Sequence, residues 1–205
     1  MPNSHVNPPI EGYDPAVSYV GLFGTCGTTT WRRDFIQTFD DLAIAYYNPQ
    51  VDEWTPELAK LEAKHLVNDD IILFPVTGQT YGTGSLAETG FSILQVLKSI
   101  QHAQTHRKVI VYIEQGLDPQ LVADNPVAAK ESSRARALVA AHLDHVKDPN
   151  VYVVKSMPEM LALSIRLYPA VVAMRRACEA QRMAQNMLDD VRHAYAAGPS
   201  PDGPG

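Results

Sequence analysis

The sequence predicts an α/β fold: a doubly wound, five-stranded parallel sheet of order 2-1-3-4-5 with a C-terminal helical extension. Three observations carry this. Strand-length apolar runs alternate with helix-length segments along the chain. Two of the runs, Ile71–Val76 and Val109–Ile113, are apolar without interruption, as in strands covered on both faces. The richest Gly/Thr stretches, Gly24–Thr30 and Thr77–Ser85, follow the first and third strands. In this strand order those two strands are neighbours whose chains leave to opposite faces, and ligands bind beyond their carboxyl ends.

The elements follow in order. Ala16–Gly24 reads as the first strand and Trp31–Asp41 as a short helix. Leu42–Asn48 is the second strand, stopped by Pro49, and Thr55–Asn68 a helix with Thr55 as N-cap and Pro56 at its first position. Ile71–Val76 is the third strand, Ser85–Gln101 a helix, Lys108–Ile113 the fourth strand, Ala128–Val146 a helix and Val151–Val154 the fifth strand. Met157–Ala197 is helical, and Pro169 is expected to divide it. Residues 1–15 are expected to be an extended arm, 16–197 a single domain, and the Gly/Pro-rich stretch 198–205 a disordered tail.

With 205 residues, 45% of them hydrophobic, the chain can bury a core of its own. Seventeen basic against 23 acidic residues give a net charge of −6, which argues against a nucleic-acid polymer as partner. The apolar runs named above fall far short of the roughly 20 residues that span a bilayer, so no membrane partner is expected. The polar, proline-rich start has no signal-peptide pattern. Cys26 and Cys178 form neither a disulfide framework nor a zinc set, so the expected compartment is the reducing cytoplasm. His102 and His106, and His142 and His145, have helical spacing but no further ligand, and no metal is expected.

The first Gly/Thr loop offers Gly24 and Gly27 for close backbone approach and Thr25 and Thr28 as hydroxyls, ahead of a helix N-terminus that favours an anion or a sugar hydroxyl. It has no Gly-Lys-Ser/Thr and is not a phosphate-binding P-loop. Cys26 has no local histidine or acid to activate it and reads as a small packed residue. The second loop contains Gly82, Gly84, Ser85 and Glu88. Ser85-Leu86-Ala87-Glu88 matches a capping box. Equally, a glutamate in the first turn facing the crevice can be a carboxylate nucleophile.

Several stretches together resemble the nucleoside 2-deoxyribosyltransferase family, in its transferase-like branch. They are Gly21–Gly27, Thr30–Phe35, Tyr47–Trp54 and Asn68–Thr77 running on to Gly84–Glu88. The resemblance covers residues 17–115. It implies a flavodoxin-like fold and cleavage of an N-glycosidic bond, with Glu88 attacking the anomeric carbon and a base or water resolving the ester. It implies Gly82, Gly84 and Ser85 against the sugar or a 5′ substituent, and Asn48, Asp52 and Trp54 against the base. It also implies a small nucleoside or nucleotide substrate, no cofactor, and a homo-oligomer. Asp70 matches an acidic position before the third strand, at the far end from Glu88, where it caps the strand.

One departure stands out: loop 77–84 contains no acid, where such transferases carry an aspartate that handles the base. Asp52 or Glu53 would then protonate it, or the substrate differs. Lys130–Arg136 is a candidate phosphate contact, against a mixed-charge helix start. Gly82–Glu88 also resembles a signature of nucleoside monophosphate phosphoribohydrolases, whose second, arginine-bearing motif is not seen. A non-catalytic nucleotide-binding protein on the same fold is the other alternative. Beyond Pro169, Val172, Met183 and Met187 share one helical stripe, read as core packing or a subunit contact.

Overall fold

The computed structural model describes residues 13–53, 55–100 and 106–196. Five parallel strands, β1 (Val20–Leu22), β2 (Tyr46–Tyr47), β3 (Ile71–Val76), β4 (Lys108–Ile113) and β5 (Val151–Val153), form one sheet in the order β2-β1-β3-β4-β5. Val20 pairs with Tyr46 on one side and Ile71 on the other, Ile71 with Lys108, and Val109 with Val151. The helices are α1 (Arg32–Asp41), α2 (Pro56–Asn68), α3 (Thr83–Ile100), α4 (Pro119–Asp124), α5 (Pro126–His145) and α6 (Met157–Ala196).

Alternate residues of a strand point to opposite faces, and the two cores divide accordingly. Val20, Leu22, Ile71, Leu73 and Ile110 pack against Phe35 and Phe39 of α1 and Met160 and Val171 of α6. On the other face Ile72, Phe74, Val109 and Val111 pack against Leu66 of α2, Ile93 of α3 and Leu143 of α5. β3 is buried along its whole length, as its unbroken apolar run requires.

Strands β1 and β2 are shorter than the sequence suggests, and α4, started by Asp118 capping the amide of Gln120 ahead of Pro119, was not foreseen. Pro169 does not divide the last helix: α6 runs through it. The residue is exposed, so its ring lies on the solvent side of the helix. The helix is anchored on both sides of the proline. Tyr168 donates to the Ser18 carbonyl (3.0 Å), and Arg175 pairs with Asp70 (2.7 Å). By length and composition alone Met157–His193 is long and apolar enough to cross a membrane, contrary to the count of short apolar runs. Met160, Ser164 and Val171 on its first half are wholly buried, as in a core helix.

Candidate active site

The two Gly/Thr loops meet at the carboxyl ends of β1 and β3. The Thr25 amide donates to the Pro75 carbonyl (3.0 Å), and the hydroxyls of Thr25 and Thr77 bond at 2.8 Å. This clip requires Gly24, whose φ is +101°; a Cβ there would lie 2.6 Å from the Pro75 carbonyl. Thr25 is therefore buried scaffold, whereas Gly27 (φ +79°) and Thr28 are exposed and Gly27 has open space around it.

Arg32, at the start of α1, holds the first loop from beneath. Its guanidinium donates to the carbonyls of Leu22 (3.0 Å), Thr25 (2.8 Å) and Gly24 (3.4 Å), to Gln50 Oε1 (3.3 Å) and to Cys26 Sγ (3.1 Å). Gln50 in turn donates to the Gly27 carbonyl (3.0 Å), so the loop after β2 is tied to the loop after β1. Cys26 is exposed as a residue rather than packed, with its sulfur accepting from Arg32 (3.1 Å). Desolvation of the thiol outweighs the arginine and pushes its pKa up, so Cys26 is not an activated nucleophile.

The capping box does not form. α3 begins at Thr83, following Gly82 at φ +67°, which leaves Ser85 and Glu88 inside the helix. The Ser85 hydroxyl is buried and its carbonyl accepts from Thr89 (2.6 Å). Glu88 is freed from the backbone and half-buried. Its pKa is raised to about 7, by burial first and then by the charge of Glu62, with Arg32 opposing both. Glu62, half-buried on α2, is itself raised by burial and drawn back by Arg32. The charge of Glu62 thus works against ionisation of Glu88. Tyr47 at the end of β2 feels the same acid. Burial first, and then Glu62, hold its hydroxyl protonated well above the usual range, and its ring stacks on His65 at 3.8 Å.

The remaining expectations fall as follows. Asn48 closes a turn by accepting from the Gln50 amide (3.1 Å), Asp52 is exposed at the rim, and Trp54 lies outside the described residues. Gly82 sits against Val76, Arg136 and Thr25, and Gly84 opens to free space. The stretch Lys130–Arg136 is corrected in part: Arg136 is wholly buried and holds no ligand. It donates to the carbonyls of Val76, Thr77, Thr80 and Glu114 at 2.8–2.9 Å, fixing the loop after β3, and Ser132 adds a bond to the Tyr81 carbonyl (2.7 Å). Asp70 lies at the opposite end of β3, where it pairs with Arg175 (2.7 Å) and His106 Nε2 (3.1 Å). Among the described residues no cluster of three metal-ligating side chains occurs.

A cavity of about 590 Å³ opens beside Asp70, away from Glu88 and beneath the second half of α6. Two of its cations are engaged: Arg175 by Asp70 and Glu179, and Arg107 by the Leu66 and Asp69 carbonyls. The side chains of Arg32, Glu62 and Glu88 act on one another electrostatically and form a separate charged cluster. Neither Glu62 nor the clamping role of Arg32 was foreseen from the sequence. The available signal was spacing: Glu62 stands four residues from both Leu58 and Leu66, on the inward stripe of α2.

The fold is that of a doubly wound α/β protein whose two Gly/Thr loops meet at the switch point, where ligands bind in such sheets. Residues 19–116 match the family model described as nucleoside 2-deoxyribosyltransferase like. The family resemblance read from the motifs is thereby shown for the stretch from β1 to the end of β4, which carries both crevice loops and Glu88. No curated protein matches the chain.

Proposed function

We propose that this chain cleaves, or transfers across, the N-glycosidic bond of a nucleoside or nucleotide by covalent catalysis at Glu88, with Glu62 handling the proton of the base. The carrying observation is the electrostatic coupling of two half-buried carboxyl groups on different helices, with Arg32 between them in charge. In the one-proton state of the pair, the form that carries its charge on Glu88 and its proton on Glu62 is drawn out by positive charge developing at C1′. A Glu88 oxygen then forms an ester bond to C1′ as the C1′–N bond breaks. The bond's electron pair goes to the base nitrogen, which takes the proton of Glu62. In the second half Glu62 removes a proton from water or an incoming base, which attacks C1′ and returns Glu88 as carboxylate. This arrangement supplies from α2 the acid that loop 77–84 lacks.

The test is release of free base from deoxynucleosides and their monophosphates, with and without an acceptor base, followed by chromatography. Release or exchange that disappears in Glu88→Ala supports the reading. Full activity in that variant, or no release from any substrate, overturns it.

A further inference from the structure

The second half of α6 leaves the domain with an apolar face that nothing in the described chain covers. Every residue from Ala180 to Leu188 is exposed, and Met187, Leu188, Val191 and Tyr195 are 68%, 55%, 66% and 90% accessible. Of the stripe expected from the sequence, Val172 is half-buried while Met183 and Met187 are exposed, so Met183 and Met187 are not core. At a helical pitch, Ala173, Ala177, Ala180, Ala184, Met187, Leu188, Val191 and Tyr195 share an arc of about 100°. The opposite side carries Arg175, Arg182 and Asn186, which face the domain and line the cavity beneath the helix. The apolar arc therefore points away from the body.

The order of residues along this arc is what identifies its occupant. The first half is all alanine and the second half all large. A two-fold axis through Ala184 sets Ala177 opposite Val191, Ala180 opposite Leu188 and Ala173 opposite Tyr195, so each of these three large side chains meets an alanine. On one flank Arg176 and Asp190 stand on the same side of the arc, and antiparallel pairing brings the arginine of one copy toward the aspartate of the other. Parallel pairing would set large against large and alanine against alanine, and would part Arg176 from Asp190 of the other copy. We propose that the exposed face of α6 is a self-complementary interface, on which a second copy of this chain packs antiparallel about Ala184. The surface lies on the far side of α6 from the domain and does not depend on the chemistry at Glu88.

The test uses the full chain. Light scattering coupled to size-exclusion chromatography at micromolar concentration is expected to give a dimer. Leu188→Glu with Val191→Glu is expected to give a monomer with an unchanged circular dichroism spectrum, because neither side chain packs on the domain. Orientation is read in a Cys26→Ser, Cys178→Ser background. Ala184→Cys, on the axis, cross-links to itself on mild oxidation; Val191→Cys, facing Ala177, does not. A monomeric wild type, a dimer indifferent to the two glutamates, or self-cross-linking at Val191 overturns the proposal. So does a monomer that floats with anionic lipid vesicles, which would make a bilayer surface the occupant.

Discussion

The charge of Glu62 on α2 bears on Glu88 of α3: with burial as the larger cause, it raises the Glu88 pKa to about 7. Glu62→Gln removes that charge, so Glu88 should ionise at lower pH and the ascending limb of the pH–rate profile should move down with it. The same change removes the proton donor, and general acid catalysis is worth about 10²–10⁴-fold. The expected loss in kcat is of that size for ordinary nucleosides and small for a deoxyriboside whose leaving group departs without a proton. An equal loss on both substrates would place Glu62 outside proton transfer.

Glu88 also has a cost in stability. Its pKa rises from 4.5 to about 7 on folding, so the folded state binds a proton that the unfolded chain releases. The corresponding stability is fully present below the unfolded value and is lost as pH rises through about 7. Glu88→Gln should therefore be more stable than the parent at pH 8, by on the order of 1–2 kcal/mol after allowing for partial solvent screening. At pH 4 the two should melt together. Urea midpoints at the two pH values check this, and a variant less stable at pH 8 would contradict it.

The buried strands could be read from the sequence to the residue. Ile71–Val76 and Lys108–Ile113 announce themselves as runs that only a doubly covered strand can bury, and Thr55-Pro56 marks the start of α2 by chemistry local to the turn. The crevice was legible only as far as its loops and Glu88. Glu62 sits among Lys60, Lys64 and Glu57 on a helix whose charges look solvated, and its inward orientation depends on α3 lying beside α2. Arg136 reads as one more charge in a mixed helix start. Its burial is set by four carbonyls on loops 22 to 60 residues away in sequence. Such long-range closure is decided by packing, which a local pattern does not encode. Ser85-Leu86-Ala87-Glu88 shows the reverse failure: a sound local motif is overridden because Gly82 lets the helix begin earlier.

Arg136→Met should expose that closure. It fills similar volume but leaves four carbonyls around the loop after β3 without their donor, at about 1–3 kcal/mol for each that water does not reach. A loss of at least 3 kcal/mol in urea unfolding is expected. Hydrogen exchange should rise at the Gly78 amide, which is held by Glu114 at 2.6 Å. Arg136→Lys, a point charge in place of a planar fork, should recover only part of the loss.

Two glycines of the first loop are both left-handed yet should behave differently. Gly27→Ala meets no neighbouring atom and should cost about 1–2 kcal/mol, the backbone term alone. Gly24→Ala adds a collision with the Pro75 backbone at 2.6 Å and should break the Thr25–Pro75 clip as well, lowering the melting temperature clearly more. Equal costs would mean that the loop rather than the clip sets the strain.

At the far end of the sheet, Asp70 ties α6 to the domain. Burial would raise its pKa, but bonds from His106, Arg175 and Ser18 hold it below the usual carboxylate value. Because the folded pKa is depressed, its stabilisation is present above the unfolded value near 3.8 and is lost as pH falls through the folded value. Asp70→Asn leaves Arg175, only 10% exposed at its side chain, without its partner's charge, at a cost of about 3–5 kcal/mol near neutrality. Arg175→Met strands Asp70 instead, and the double variant should recover much of either loss because no unpaired charge remains. Urea unfolding of the four proteins at pH 7 gives the coupling directly, and it should shrink in the same cycle run at acid pH, where Asp70 takes up its proton. A coupling that is absent at pH 7 would mean that α6 is held by Met160 and Val171 alone.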